Sequence, residues 1–87
     1  MTFRIETAAR GGFTIFILSG RIETDAVAEL RGLLESRKDC RDVVVDLKNV
    51  SLVDREAMGF LARCEADGVK LEHLPPYIRE WMEREKD

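Results

Sequence analysis

Apolar positions along this chain change their spacing several times, and each change predicts a new element. From Thr2 to Ala8, Phe3 and Ile5 alternate with polar neighbours, the two-residue period of a short strand. Arg10-Gly11-Gly12 supplies a turn. Phe13 to Leu18 then reads Phe-Thr-Ile-Phe-Ile-Leu, a β-branched and aromatic second strand that ends at Ser19-Gly20. The two strands are close enough in sequence to pair as an antiparallel hairpin.

Past Gly20 the period lengthens. Ala26, Val27, Leu30, Leu33 and Leu34 recur at helical spacing, behind Thr24 or Asp25 as the cap. This helix fades in Arg37-Lys38-Asp39, where cations suit its carbonyl end. Val43-Val44-Val45-Asp46-Leu47 is a short apolar run interrupted by Asp46, the pattern of a strand buried on both faces of a parallel sheet. After Lys48-Asn49 and Val50-Ser51-Leu52-Val53, a second helix is predicted from Arg55 to about Ala66. Its face is Ala57, Met58, Leu61 and Cys64, with Phe60 beside them, and Asp67-Gly68 stops it. Val69 to Leu74 is a further strand, broken by Pro75-Pro76. Pro76 suits the first position of a third helix carrying the stripe Tyr77, Ile78, Trp81 and Met82. Glu83 to Asp87 reads as a solvated, charged tail.

The order β-β-α-β-α-β-α predicts an α/β fold: a mixed, mostly parallel four-stranded sheet with packed helices. At 87 residues the chain is expected to form one domain, spanning 1–87, with a single core. Charged residues make up 36% of it, yet the signs are interspersed and the net charge is only −3. Nucleic acid is therefore a poor partner, because phosphate binding needs clustered Lys and Arg. The N-terminus carries no apolar stretch of the kind a secretory leader needs. No segment approaches the length of a membrane-spanning helix, so no membrane insertion is expected. Cys40 and Cys64 do not resemble a disulfide framework, which points to a reducing, cytoplasmic setting.

Candidate chemistry is sparse. Gly11-Gly12 lies in a hairpin turn and not between a strand and a helix, so it is no phosphate loop. His73 is the only histidine, and no second ligand stands near it, so neither a metal nor another cofactor is predicted. Cys64 falls on an apolar helix face and reads as a core residue, while Cys40, before the third strand, is a candidate surface thiol. An enzyme would have to draw on Asp46, Asp54, Glu56 and Cys64, with no activating partner visible, so no catalytic residue is assigned. The third-helix stripe packs on the sheet or, alternatively, docks a partner through Trp81.

The most informative segment is Val43 to Leu61. Its Asp46-Leu47, Val50, Ser51, Val53, Asp54, Met58, Gly59 and Leu61 resemble the signature of the STAS family, the anti-sigma-factor antagonists. That signature is an apolar strand, Asp-Leu, a short bend, a hydroxyl residue, two apolar residues, then Asp-Ser-Ser-Gly-Leu-Gly and an apolar helix. Upstream, Leu18-Ser19-Gly20-Arg21-Ile22-Glu23 is similar to the family's Leu-x-Gly-x-Leu-Asp, and Ala28-x-Leu30 follows as in its first helix. Downstream, Gly68-Val69-Lys70-Leu71 is similar to its Gly-x-x-Leu.

The resemblance implies a regulatory, non-catalytic module that binds proteins through Asp54, Arg55, Glu56, Ala57, Met58 and Gly59. The partner would be an anti-sigma factor, a sensor kinase or a transporter component. In the family an anti-sigma kinase phosphorylates the first serine of Asp-Ser-Ser-Gly. Here Arg55 occupies that position, Glu56 the next and Ala57 the glycine, so no phosphoacceptor is expected. Ser51, the nearest hydroxyl, precedes Asp54 by three residues. A helix N-terminus favours anions by about 0.3–1 kcal/mol. Asp54 and Glu56 suit it, whereas Arg55 opposes it and either stays hydrated or reaches a partner carboxylate. Glu56 also admits a second role, as a fixed charge resembling the phosphorylated state. Alternative readings are a nucleotide- or lipid-sensing domain and an accessory subunit of a transporter.

Overall fold

The computed structural model describes residues 3–36 and 42–85. Cys40 and the Arg37-Lys38-Asp39 stretch lie outside the described residues. In order, the elements are β1 (Phe3–Arg10), β2 (Phe13–Ile22), α1 (Thr24–Glu35), β3 (Val43–Val53), α2 (Arg55–Ala66), β4 (Lys70–Glu72) and α3 (Pro76–Glu85). The four strands lie side by side in chain order, β1-β2-β3-β4. β1 is antiparallel to β2, and β2, β3 and β4 are mutually parallel neighbours. This is the mixed, mostly parallel sheet that the alternation of elements predicts.

The hairpin turns through Gly11 and Gly12, both at positive φ (60° and 85°). Two left-handed central residues are what a tight two-residue turn between twisted strands requires. Beyond it, β2 and β3 run further than the apolar pattern suggests. β2 continues past Ser19-Gly20 to Ile22, and β3 continues past Leu47 to Val53. Two register shifts account for this. Ile17 faces Asp46 but Ser19 faces Asn49, and Gly20 faces Val50 but Arg21 faces Leu52. Each shift gives β3 one extra residue, the mark of a β-bulge. Leu47, Val50 and Val53 therefore stay buried at three-residue intervals.

The core packs all three helices against the sheet. Phe16, Leu18 and Ile22 from β2 and Val43, Val45 and Leu47 from β3 meet Leu30 of α1, Met58 and Leu61 of α2, and Ile78 of α3. On the opposite face Ile15 and Val44 are buried outside that cluster, beside a 40% exposed Phe13. α2 closes on a Schellman motif: Val69 N donates to Cys64 O (3.0 Å) and Gly68 N to Glu65 O (3.1 Å), with Gly68 at φ 108°.

β4 is shorter than the Val69–Leu74 strand expected. His73, at φ 56°, leaves the extended conformation, and Pro75-Pro76 follows. α3 then starts at Pro76, with the amides of Ile78 and Arg79 donating to Pro75 O. The expected stripe is divided: Ile78 and Met82 enter the core, Trp81 is half-buried, and Tyr77 is exposed. A bidentate Arg79–Glu65 pair (3.0 and 2.9 Å) joins α3 to α2. The hydrogen-bonded Glu65 carboxylate holds the Arg79 guanidinium above its ordinary pKa. α3 also extends through Glu83 and Arg84, which the sequence pattern assigns to the tail.

The start of the second helix as a candidate docking site

Asp54 fixes the junction between β3 and α2 through three backbone groups. Its Oδ1 accepts from Ala57 N at 2.7 Å, its carbonyl accepts from Met58 N at 2.9 Å, and its own amide donates to Ile22 O at 3.1 Å. The side-chain bond satisfies one amide that the helix itself leaves open. The bond to Ile22 ties the start of α2 to the end of β2.

The six residues of the candidate segment then separate by depth. Asp54 is half-buried. Arg55, Glu56 and Gly59 are exposed, and a Cβ built on Gly59 would meet open space. Ala57 and Met58 turn inward and are 0% and 1% exposed. The part of this segment available to a partner is thus Arg55, Glu56 and Gly59, held by a buried first turn. Glu56 lies where a carboxylate suits the helix dipole. Leu52, 40% exposed, precedes the loop, and the Tyr77 hydroxyl reaches to 3.5 Å from Ser51 O.

Asp54 and Glu56 lie at the start of α2, and Cys64 lies near its other end. Asp54 is occupied as a cap. Cys64 is buried near the far end of α2, beside a cavity of about 290 Å³ lined also by Arg31, Leu34, Glu35, Phe60, Asp67 and Val69. The Arg31 guanidinium lies 5.3 Å from the Phe60 ring centroid. Asp46 is the buried charged residue among those described, and its Oδ1 accepts from Lys48 N (3.0 Å). The same oxygen is 3.1 Å from Nδ1 of His73. The sequence pattern does not reveal this contact, because the partners are 27 residues apart and meet only once β4 lies beside β3. It ties the β4–α3 connection, where His73 is left-handed (φ 56°), to β3. Among the described residues no group of three or more His, Cys, Asp or Glu side chains could hold a metal ion. Among them, too, no helix is long and apolar enough to cross a membrane.

No protein-family model matches this chain, and no curated protein does. Solved structures do match. An anti-sigma factor antagonist from Mycobacterium paratuberculosis superposes with a TM-score of 0.76 at 15% identity, covering 98% of this chain and 79% of its own. The anti-sigma factor antagonist SpoIIAA in its unphosphorylated form gives a TM-score of 0.66 at 15% identity, covering 93% and 81%. An uncharacterised protein with a SpoIIAA-like fold from Shewanella loihica gives 0.58 at 15% identity, covering 98% and 77%. The likeness is one of fold, and it agrees with the resemblance read from the sequence.

Proposed function

We propose that this chain, which has the fold of the anti-sigma-factor antagonists, is a non-catalytic protein-interaction module of the STAS type. It acts in regulation in a bacterial cytoplasm, and its docking surface is the exposed part of the α2 start: Arg55, Glu56 and Gly59. One observation carries the reading. The Asp54 cap and the buried Ala57 and Met58 fix the first turn of α2, and that turn presents a cation and an anion at its exposed positions. In the STAS pattern the position of Arg55 holds the phosphorylated serine. The partner is accordingly an anti-sigma factor, a sensor kinase or a transporter component, bound without phospho-control at this site.

The test is affinity capture from the native cytosol with the wild type and with an Arg55→Ala/Glu56→Ala variant. Loss of specific partners from the variant is expected; identical partner sets would remove this turn as the docking site. Incubation with a kinase of the anti-sigma type and ATP is expected to leave the mass unchanged. One added phosphate on Ser51 or Thr24 would overturn the absence of phospho-control.

The cavity between α1 and α2 favours a second reading, the sensing of a small ligand, since its apolar wall carries the Arg31 guanidinium at its rim. A thermal-shift panel of nucleotides and fatty acids separates the two. No shift at about millimolar ligand, well above the affinity of any specific site, removes it.

A further inference from the structure

The two edges of the sheet are built differently. β4 is three residues long, carries Lys70, and is cut off by left-handed His73 and two prolines. Those are the usual means of closing an edge to further pairing. β1 also carries charges, Arg4, Glu6 and Arg10, but among the described residues it is neither short nor interrupted by a proline or a left-handed residue. It runs eight residues, Phe3–Arg10, and pairs with β2 at every one of them without a bulge. An open, regular edge of this length is a template for another strand.

We infer that β1 docks against β1 of a second copy of this chain, antiparallel, about a two-fold axis normal to the sheet and centred on Ile5. That symmetry is self-complementary, and it keeps the helices of both copies on the same side. It also restricts which residues face one another. On the face away from the helices, Arg4, Glu6, Ala8 and Arg10 succeed each other. Registers with longer overlap set Glu6 against the partner's Glu6, or Arg4 against the partner's Arg10. Like charges directly opposite disfavour both. Centring on Ile5 sets Arg4 against the partner's Glu6, twice over by symmetry. Arg4 and Glu6 already attract within one strand, 3.4 Å apart with side chains 73% and 50% exposed. On the helix side the same register places the two half-buried Ile5 side chains against each other and Phe3 against the partner's Thr7. Centring on Ala8 would also match charges, Glu6 against the partner's Arg10, but with an Ala–Ala contact at its middle.

Sedimentation equilibrium of the chain, with hydrogen exchange at low and high concentration, tests this. A reversible dimer is expected, with amides of Phe3 to Thr7 slowed as concentration rises. Glu6→Arg sets like charges together in either matched register and should weaken dimerisation by about tenfold or more. Arg4→Glu/Glu6→Arg restores the opposition and should restore the dimer. Because these side chains are exposed, the variants should keep the wild-type melting temperature within a few degrees. A monomer at all concentrations, or association that Glu6→Arg leaves intact, overturns the proposal. Rescue by Glu6→Arg/Arg10→Glu, and not by the first pair, overturns the Ile5-centred register.

Discussion

Two helices of this protein follow neighbouring parallel strands at the same end of the sheet, and they begin differently. α2 starts behind Asp54, whose carboxylate caps Ala57 N at 2.7 Å. α1 starts behind Glu23, whose side chain makes no capping bond. Glu23 still accepts the first helical bond through its carbonyl, from Val27 N at 2.9 Å, and its side chain lies 3.6 Å from Arg21. The expected caps, Thr24 and Asp25, fall one and two positions too late. Thr24 is the first helical residue, and Asp25 Oδ1 accepts from the adjacent Ala26 N. The difference lies in the strands. Both bulges lengthen β3 relative to β2, so β3 reaches Asp54 while Asp54 N still pairs with Ile22 O. The start of α2 is thereby held from three sides, and the start of α1 by backbone and packing. The docking surface proposed at Arg55 and Glu56 would gain from the first arrangement, which holds them in one geometry.

The comparison is broken most directly from beneath. Met58 is fully buried under the first turn of α2. Met58→Ala should cost about 2–5 kcal/mol in urea unfolding, the range for a large-to-small core change. A loss below about 1 kcal/mol would mean that the first turn is not pinned by its burial. Next comes the cap. Asp54→Ala should cost about 0.5–2 kcal/mol, while Asp54→Asn, which keeps an acceptor, should cost far less. Equal losses would assign the effect to the charge and not to the bond. At α1 the expected sign reverses. Glu23 has extended backbone (φ −124°, ψ −166°), which suits a short capping side chain. Glu23→Asp should therefore stabilise by about 0.5–1 kcal/mol, read as a rise in Tm.

Much of this was legible in the chain. α2 is found closely, from Arg55 to about Ala66, because both its ends are chemically marked, by Asp54 and by Asp67-Gly68. The hairpin is marked by its glycines. β3 was legible only to Leu47, since two bulges convert its apolar period from two to three, which belongs to neither strand nor helix. The α1 cap was misplaced because Glu23, Thr24 and Asp25 offer three adjacent acceptors, and the end of β2 decides among them. Of the candidate surface, the segment was legible but not its depth. Ala57 and Met58 share a short stretch with Arg55 and Glu56, and helical rotation alone sends the first pair into the core. The Asp46–His73 contact depends on strand order and had no local signal.

The smallest expected effect on stability is the most informative for function. Arg55 and Glu56 are exposed, and α2 keeps its cap and its buried face without them. The Arg55→Ala/Glu56→Ala variant should therefore unfold within about 0.5 kcal/mol of the wild type, as exposed substitutions do. Removing Arg55 relieves a cation at a positive helix end, while removing Glu56 loses a favourable anion, so the two dipole terms oppose each other. Partner capture has no such cancellation. A docking surface centred on this turn loses both signs of charge at once, and rim and anchor contacts of this kind govern recognition more than fold. A variant that unfolds like the wild type yet loses its partners assigns the turn to recognition. A variant that is destabilised by more than about 1 kcal/mol would show instead that these side chains hold α2 in place, and the contrast between the two helix starts would then be one of stability alone.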